Sequence, residues 1–200
     1  MPEDRELIEL IRRPLAEHVP RRVELAGRPR AAVLLLLYYR AGEEYILFTL
    51  RTQQVERHKG QISLPGGAAD AEDADERATA LRETFEEVGV RPEDVEIIGE
   101  LDEMPAISGF VVSFFVGVLT VPPPRVFLGD PYEVEEVLEV PLRHLLDKAN
   151  TYQELRQVGG RELLVDCYRF GEHVIWGLTA RMLTQFLDLV SSAIASRGQT

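Results

Sequence analysis

The sequence predicts an α/β/α sandwich on a mixed β-sheet, and three observations carry that prediction. Residues 31–39, AAVLLLLYY, form an unbroken apolar run, the pattern of a central strand covered on both faces. Residues 73–88 and the segment from Gly177 onward repeat apolar side chains at helical spacing. Strand-like segments surround these helices with no internal repeat, low-complexity tract or linker, so the elements form one layered unit.

Along the chain, Glu3 to Glu17 reads as an amphipathic helix with Leu7, Ile8, Leu10, Ile11 and Leu15 on its apolar side. Pro14 falls inside the pattern and is expected to kink or end it. Residues 20–29 are basic and broken by proline, a connector. Residues 1–29 are thus expected to be a helix and connector belonging to the same domain as residues 30–195. Residues 30–40 and 44–51 read as two strands around an Ala41-Gly42 turn. Residues 52–61 form a polar loop carrying Arg57, His58 and Lys59, followed by Ile62 to Leu64 and the Gly66-Gly67 pair.

A helix over residues 73–88 follows, with Ala78, Leu81, Phe85 and Val88 as its apolar stripe and Gly89 placed for a left-handed C-terminal cap. Strands are expected at residues 96–102, 110–119 and 134–140, the last leading at Pro141 into a short helix through Leu146. Residues 152–158 and 162–170 read as a hairpin around Gly159-Gly160. The C-terminal helix carries Leu178, Met182, Leu183, Phe186, Leu187 and Val190 on one side, with a frayed tail after Ser191.

Composition narrows the function. Of 200 residues, 45% are hydrophobic and 28% charged, which is the make-up of a soluble globular chain. The longest apolar run is too short to span a bilayer, and the charged N-terminus lacks a signal-peptide core, so no membrane partner is expected. Cys167 is alone, which excludes an intrachain disulfide and suits a reducing cytoplasm. A net charge of −12 argues against polymeric nucleic acid, which needs a basic footprint. A small phosphate ester stays open if bound cations supply positive potential. Nothing in the sequence fixes the oligomeric state, and a homodimer is compatible with it.

The acidic face of the 73–88 helix stands out. Glu83, Glu86 and Glu87 lie three or four residues apart or adjacent, on one side. Like charges at such spacings cost roughly 0.2–0.5 kcal/mol per pair. Glu86 and Glu87 also sit near the helix C-terminus, where the macrodipole favours cations. Two readings are open: a solvated acidic face, or a site for a divalent cation. Carboxylate oxygens are the donors that Mg²⁺ and Mn²⁺ prefer.

The run Arg82-Glu83-Thr84-Phe85-Glu86-Glu87-Val88-Gly89-Val90 resembles the core of the Nudix box, Gly-x5-Glu-x7-Arg-Glu-U-x-Glu-Glu-x-Gly-U with U aliphatic. Gly67 matches the leading glycine, and Asp73 falls where the first glutamate belongs. The interval from Asp73 to Arg82 is one residue longer than the usual form, and Thr84 replaces an aliphatic residue. Upstream, Leu47, Thr49, Thr52, Gly60 and Pro65-Gly66-Gly67 are similar to a motif of the coenzyme A pyrophosphatase branch. Phe48, Arg51, Glu56 and Leu64 depart from it; Arg57 stands one place beyond the arginine expected at Glu56. Residues 109–112, 133–142 and 175–180 are also similar to that branch.

The resemblance implies a Nudix-type α/β/α sandwich and a Mg²⁺- or Mn²⁺-dependent pyrophosphohydrolase. The expected substrate is coenzyme A or a derivative, cleaved to 4′-phosphopantetheine and adenosine 3′,5′-bisphosphate. One alternative is another nucleoside diphosphate conjugate, such as ADP-ribose or a dinucleoside polyphosphate. A second is a nucleotide-sensing module without turnover, which the intact glutamate set argues against.

The resemblance places metal ligands at Glu86 and Glu87, with a backbone carbonyl of Gly67 or its neighbour Gly66. Glu83 is a ligand or orients the attacking water, and Arg82 orients a glutamate. Arg51, Arg57, His58 and Lys59 form the nearest basic cluster, either phosphate-binding or a solvated loop. Asp73 is expected as a helix N-terminal residue. Glu133 and Glu136 are expected on a solvated strand edge, with a reach into the site on a later loop as the alternative. His18, His144 and His173 lack a carboxylate or cysteine partner at ligand spacing, and Trp176 is expected to pack at a helix start.

Overall fold

In the computed structural model, β1 (Arg30–Arg40) lies at the centre of a seven-stranded mixed sheet. The structure describes residues 6–52, 60–124 and 126–197. Arg57, His58 and Lys59, with Glu56, lie outside the described residues. Strand β1 runs antiparallel to β2 (Glu43–Arg51) and parallel to β6 (Val111–Leu119), which in turn pairs antiparallel with β5 (Val95–Pro105). Two short strands, β3 (Ile62–Ser63) and β4 (Gly66–Ala68), pair with β2 and β1. Strand β7 (Val134–Pro141) runs antiparallel along the other edge of β2, from Tyr45 to Arg51.

The apolar run of β1 serves two cores at once, because successive side chains of a strand point to opposite faces. Leu34, Leu36 and Tyr38 face α2 (Glu76–Val88), with Ala80 and Val88 opposite them. Leu35 and Leu37 face the other layer, made by α1 (Glu6–Glu17), α3 (Leu142–Leu146) and α4 (Gly177–Arg197). Ile8, Ile11 and Leu15 of α1 and Leu183, Phe186 and Val190 of α4 are buried there. The α/β/α sandwich on a mixed sheet is thus the observed architecture. A separate three-stranded sheet, β10-β9-β8, completes the fold from β8 (Thr151–Val158), β9 (Arg161–Phe170) and β10 (His173–Ile175). Among the described residues no helix is long and apolar enough to cross a membrane.

Several expectations need correction. Helix α1 runs through Pro14 and stops three residues later, where the His18 amide donates to Pro14 O at 3.1 Å. Proline removes one N–H and crowds the preceding turn, but burial of Ile8, Ile11 and Leu15 holds this helix together across it. Helix α4 continues past Ser191 to Arg197, since Ala193 still packs in the core. Helix α2 begins at Glu76 rather than Asp73; its cap is Asp75, whose carboxylate accepts from Ala78 N at 2.7 Å. Phe85, expected in the apolar stripe, is 48% exposed, whereas Thr79, Ala80, Thr84, Glu87 and Val88 are buried. Thr84 satisfies its hydroxyl by donating to Ala80 O at 2.6 Å, which lets a polar residue replace the aliphatic one.

The connector is also more than a spacer. His18 Nε2 lies 2.9 Å from Asp102 Oδ1, so this histidine does have a carboxylate partner. His173 likewise stands 3.5 Å from Glu136. Arg21 donates to Asp102 through its backbone N–H and its side chain, and Arg22 pairs with Glu100 and Glu103. Residues 18–23 are thereby strapped to β5.

Candidate active site

The site assembles where α2 crosses the β1–β4 pair. Gly66 and Gly67 stand opposite Val33 and Ala32 in that ladder. The approach leaves no room for a Cβ at either position unless a neighbour shifts. A Cβ on Gly67 would lie 2.4 Å from Glu83 Oε2, and one on Gly66 would lie 2.3 Å from Ala32 O. The Gly66-Gly67 backbone is thus a flat rung against which two glutamates of α2 rest. Gly89, in the left-handed conformation at φ 73°, closes the helix by donating to Phe85 O.

Glu87 is 2% exposed. Its carboxylate accepts from Arg51 Nη1 at 3.1 Å and from the Gly66 amide at 3.3 Å. Burial pushes its pKa up to about 8, against the pull of Arg51 and the Gly66 N–H; Glu133 and Glu83 add to the rise. Burial also raises Glu83, offset by its bond to Arg82 and reinforced by the negative charge of Glu86 and Glu133. Glu86 is on the open side of the helix, with more than half of its side chain exposed.

Arg82 is the hub of the acidic face. Its Nε and Nη2 each donate to Asp73 at 2.9 Å, and its Nη1 donates to Glu83 at 2.8 Å and Glu86 at 3.0 Å. Nη2 also reaches Ala68 O at 3.1 Å. These bonds hold the Asp73 carboxyl well below the usual carboxylate range and raise Arg82 further above its own. Asp73 is therefore an anchor for Arg82 rather than a helix N-terminal residue, in the place expected of the first glutamate of the box.

Arg51 bridges from Glu87 to Glu133, whose Oε2 lies 3.4 Å from Nη2. Glu133, expected on a solvated edge, faces the site because Thr52 pins its loop. Thr52 N donates to Glu133 O at 3.0 Å and Thr52 Oγ1 to Tyr132 O at 2.7 Å. The signal that could have placed Glu133 was Thr52 in the upstream motif. Glu136 points away, toward His173. Glu83, Glu86, Glu87, Arg82, Gly67 and Arg51 are thus brought together. Trp176 is half-buried with the Arg156 guanidinium 4.4 Å above its ring, remote from this cluster in its contacts.

The donor set suits a hard divalent cation: several carboxylates that repel one another, a buried acid whose pKa is raised, and a glycine backbone free of side chains. It is not a preassembled cage. Among the described residues no three acidic, histidine or cysteine side chains stand together in metal-holding geometry, and Arg82 and Arg51 occupy the carboxylates instead. The two arginines are the counter-charge that makes the acidic face tolerable.

A family model described as the NUDIX domain matches residues 28–158, more than half of the chain. The chain belongs to the Nudix family. The Nudix hydrolase NudL of Photorhabdus laumondii is 34% identical over 166 residues, covering 83% of this chain and 88% of that protein. The mouse peroxisomal coenzyme A diphosphatase NUDT7 is 33% identical over 159 residues, covering 76% of this chain and 66% of that protein. Among solved structures, a MutT/nudix family protein from Enterococcus faecalis superposes with a TM-score of 0.56 at 17% identity, over 92% of this chain and 70% of that one. The MutT protein of Methanosarcina mazei Go1 superposes at 0.50 with 16% identity, over 87% and 99%. These structural likenesses speak to the Nudix fold alone.

Proposed function

We propose that this Nudix hydrolase cleaves the diphosphate linkage of coenzyme A or its derivatives, with Mg²⁺ or Mn²⁺ as cofactor. The observation that carries the reading is the convergence of Glu83, Glu86 and Glu87 with the Gly66-Gly67 rung and Arg51. Similarity to the mouse coenzyme A diphosphatase supports the substrate, and the upstream motif at residues 47–67 points the same way.

Glu86, Glu87 and the Gly67 carbonyl are the ligands we assign, and Glu83 is a further ligand or the group that orients water. A bound divalent cation neutralises charge on a diphosphate and makes nearby water more acidic. Arg82 and Asp73 hold Glu83 and Glu86 in place. Arg51, relieved of Glu87, turns its planar donor fork to substrate phosphate, a geometry that suits phosphate oxygens. Arg57, His58 and Lys59 follow in the sequence and are assigned to the same phosphates. Water adds to one phosphorus, the bridging P–O bond breaks, and 4′-phosphopantetheine and adenosine 3′,5′-bisphosphate leave. The setting assigned is the cytoplasm.

Incubation with coenzyme A and Mg²⁺, with the products resolved by chromatography, tests this directly. The expected product pair includes the 3′,5′-bisphosphate. Cleavage of ADP-ribose or a dinucleoside polyphosphate with none of coenzyme A would replace this reading by a second one, which Glu56 and Leu64 favour.

A further inference from the structure

The three-stranded sheet ends on an open edge. Among the described residues β8 pairs only with β9, in an unbroken register from Thr151↔Tyr168 to Val158↔Arg161. It carries no proline and no bulge, two of the usual devices that block a free edge. Leu155 and Leu164 stand opposite each other on one face of this hairpin, 62% and 60% exposed. That is a poor place for two leucines unless another surface covers them.

We propose that β8 is a homodimer interface, in which the β8 strands of two copies pair antiparallel about a two-fold axis through Leu155. The sequence of the edge, Thr-Tyr-Gln-Glu-Leu-Arg-Gln-Val, is self-complementary in that register. With Leu155 opposite itself, Glu154 falls opposite Arg156 of the second copy, and the symmetry makes the same pair twice. Gln153 meets Gln157, and Tyr152 meets Val158. Directly opposite residues share a face, so Leu164, Leu155 and their two counterparts form one apolar stripe across the axis.

On the other face the charges alternate in sign. Arg156 is already placed by its stacking on Trp176 at 4.4 Å and its ion pair with Glu154 at 2.6 Å. Moving the two-fold axis from Leu155 to either neighbour, a two-residue change of register, places Glu154 opposite itself or Arg156 opposite itself, and like charges directly opposite are unfavourable. Charge pattern and leucine stripe therefore select the same register. The result is a continuous six-stranded sheet with no open β8 edge.

Sedimentation equilibrium at high-micromolar concentration tests the interface. The unmodified protein is expected at twice the mass of one chain. Leu155→Lys puts two cations on the axis, and Glu154→Arg puts arginines opposite one another; each is expected to halve the mass with an unchanged far-ultraviolet circular dichroism spectrum. The double variant E154R/R156E restores opposite charges in every cross-axis pair and is expected to recover the two-chain mass. A one-chain mass for the unmodified protein overturns the proposal. So does a dimer that survives both single substitutions, or a double variant that stays at one-chain mass while its spectrum matches the parent.

Discussion

Gly66 and Gly67 are neighbours in the chain, yet an added methyl group meets a different obstacle at each. At Gly67 it meets the end of the Glu83 side chain, which can swing away; at Gly66 it meets the backbone of β1, with φ at +150°. Gly67→Ala is expected to fold with a near-parental melting temperature and lose turnover by displacing Glu83. Gly66→Ala is expected to cost roughly 1–3 kcal/mol of stability, the range for a strained backbone position. Thermal melts alongside rates distinguish the two; equal stability losses would contradict the geometry.

Glu87 supplies the second residue-scale prediction. Burial raises its carboxyl from an ordinary 4.5 to about 8, so the folded state favours the protonated acid. Stability from this group is full below the ordinary value and is lost as pH rises toward and through about 8. In chelator, Glu87→Gln is expected to melt above the parent at pH 8, the gap closing as the buffer is brought down to the ordinary carboxylate range. Its turnover is expected to fall at least about 10²-fold, about 2.7 kcal/mol of barrier. A gap that does not change with pH would show that the buried acid is not the cause.

The glutamates and Arg82 were legible because their spacing fixes which helix face they share, and Gly67 because it matches the leading glycine of the box. The pairing of Asp73 with Arg82 was not, because it spans the helix start and depends on Asp75 taking the cap. Phe85 misled for a related reason: periodicity gives the spacing of a stripe but not which stripe faces the sheet. Here the sheet takes the side with Ala80, Thr84 and Glu87, since that side delivers a carboxylate to the glycine rung.

Among the elements, α1 and its connector illustrate what a sequence hides. The pairing of His18 and Arg21 with Asp102 joins residues more than eighty positions apart, and no local pattern predicts it. Burial drives the Asp102 carboxyl up, but bonds from Arg21 N, the Arg21 side chain and His18 outweigh it and hold the group below its ordinary value. Its contribution is therefore present above the ordinary value of 3.8 and is lost as pH falls through the folded one. Asp102→Asn is expected to lose roughly 1–3 kcal/mol at neutral pH, the range for hydrogen bonds to a charged group, since a neutral amide replaces a buried carboxylate. Denaturant melts in acid should show that gap narrowing. Strands fared better: the bounds of β1 agree with the expectation at both ends, since a strand buried on two faces shows its whole length as apolar residues.

At the scale of the molecule, the helical layer opposite the site extends beyond residues 28–158, the part shared with the family model. Ile8, Ile11 and Leu15 before it, and Leu183, Phe186 and Val190 after it, are essentially inaccessible and pack on the same face of the sheet. Each such side chain contributes about 1.5–3 kcal/mol when buried, and a domain's total margin is only about 5–15 kcal/mol. A fragment limited to residues 28–158 is expected to show no cooperative thermal transition by circular dichroism. A sharp melt near that of the full chain would mean that α1 and α4 are decoration.

The parallel pairing of β1 with β6 has a consequence for biosynthesis. The chain makes its central strand early, but the neighbour that shields one side of it is encoded far downstream. At ordinary translation speeds β6 leaves the ribosome on the order of ten seconds after β1. During that wait β1 has β2 along one flank and nothing on the other, a sticky intermediate of the kind that holdase chaperones recognise. Yield in a cell thus depends on how the interval between these two strands is bridged.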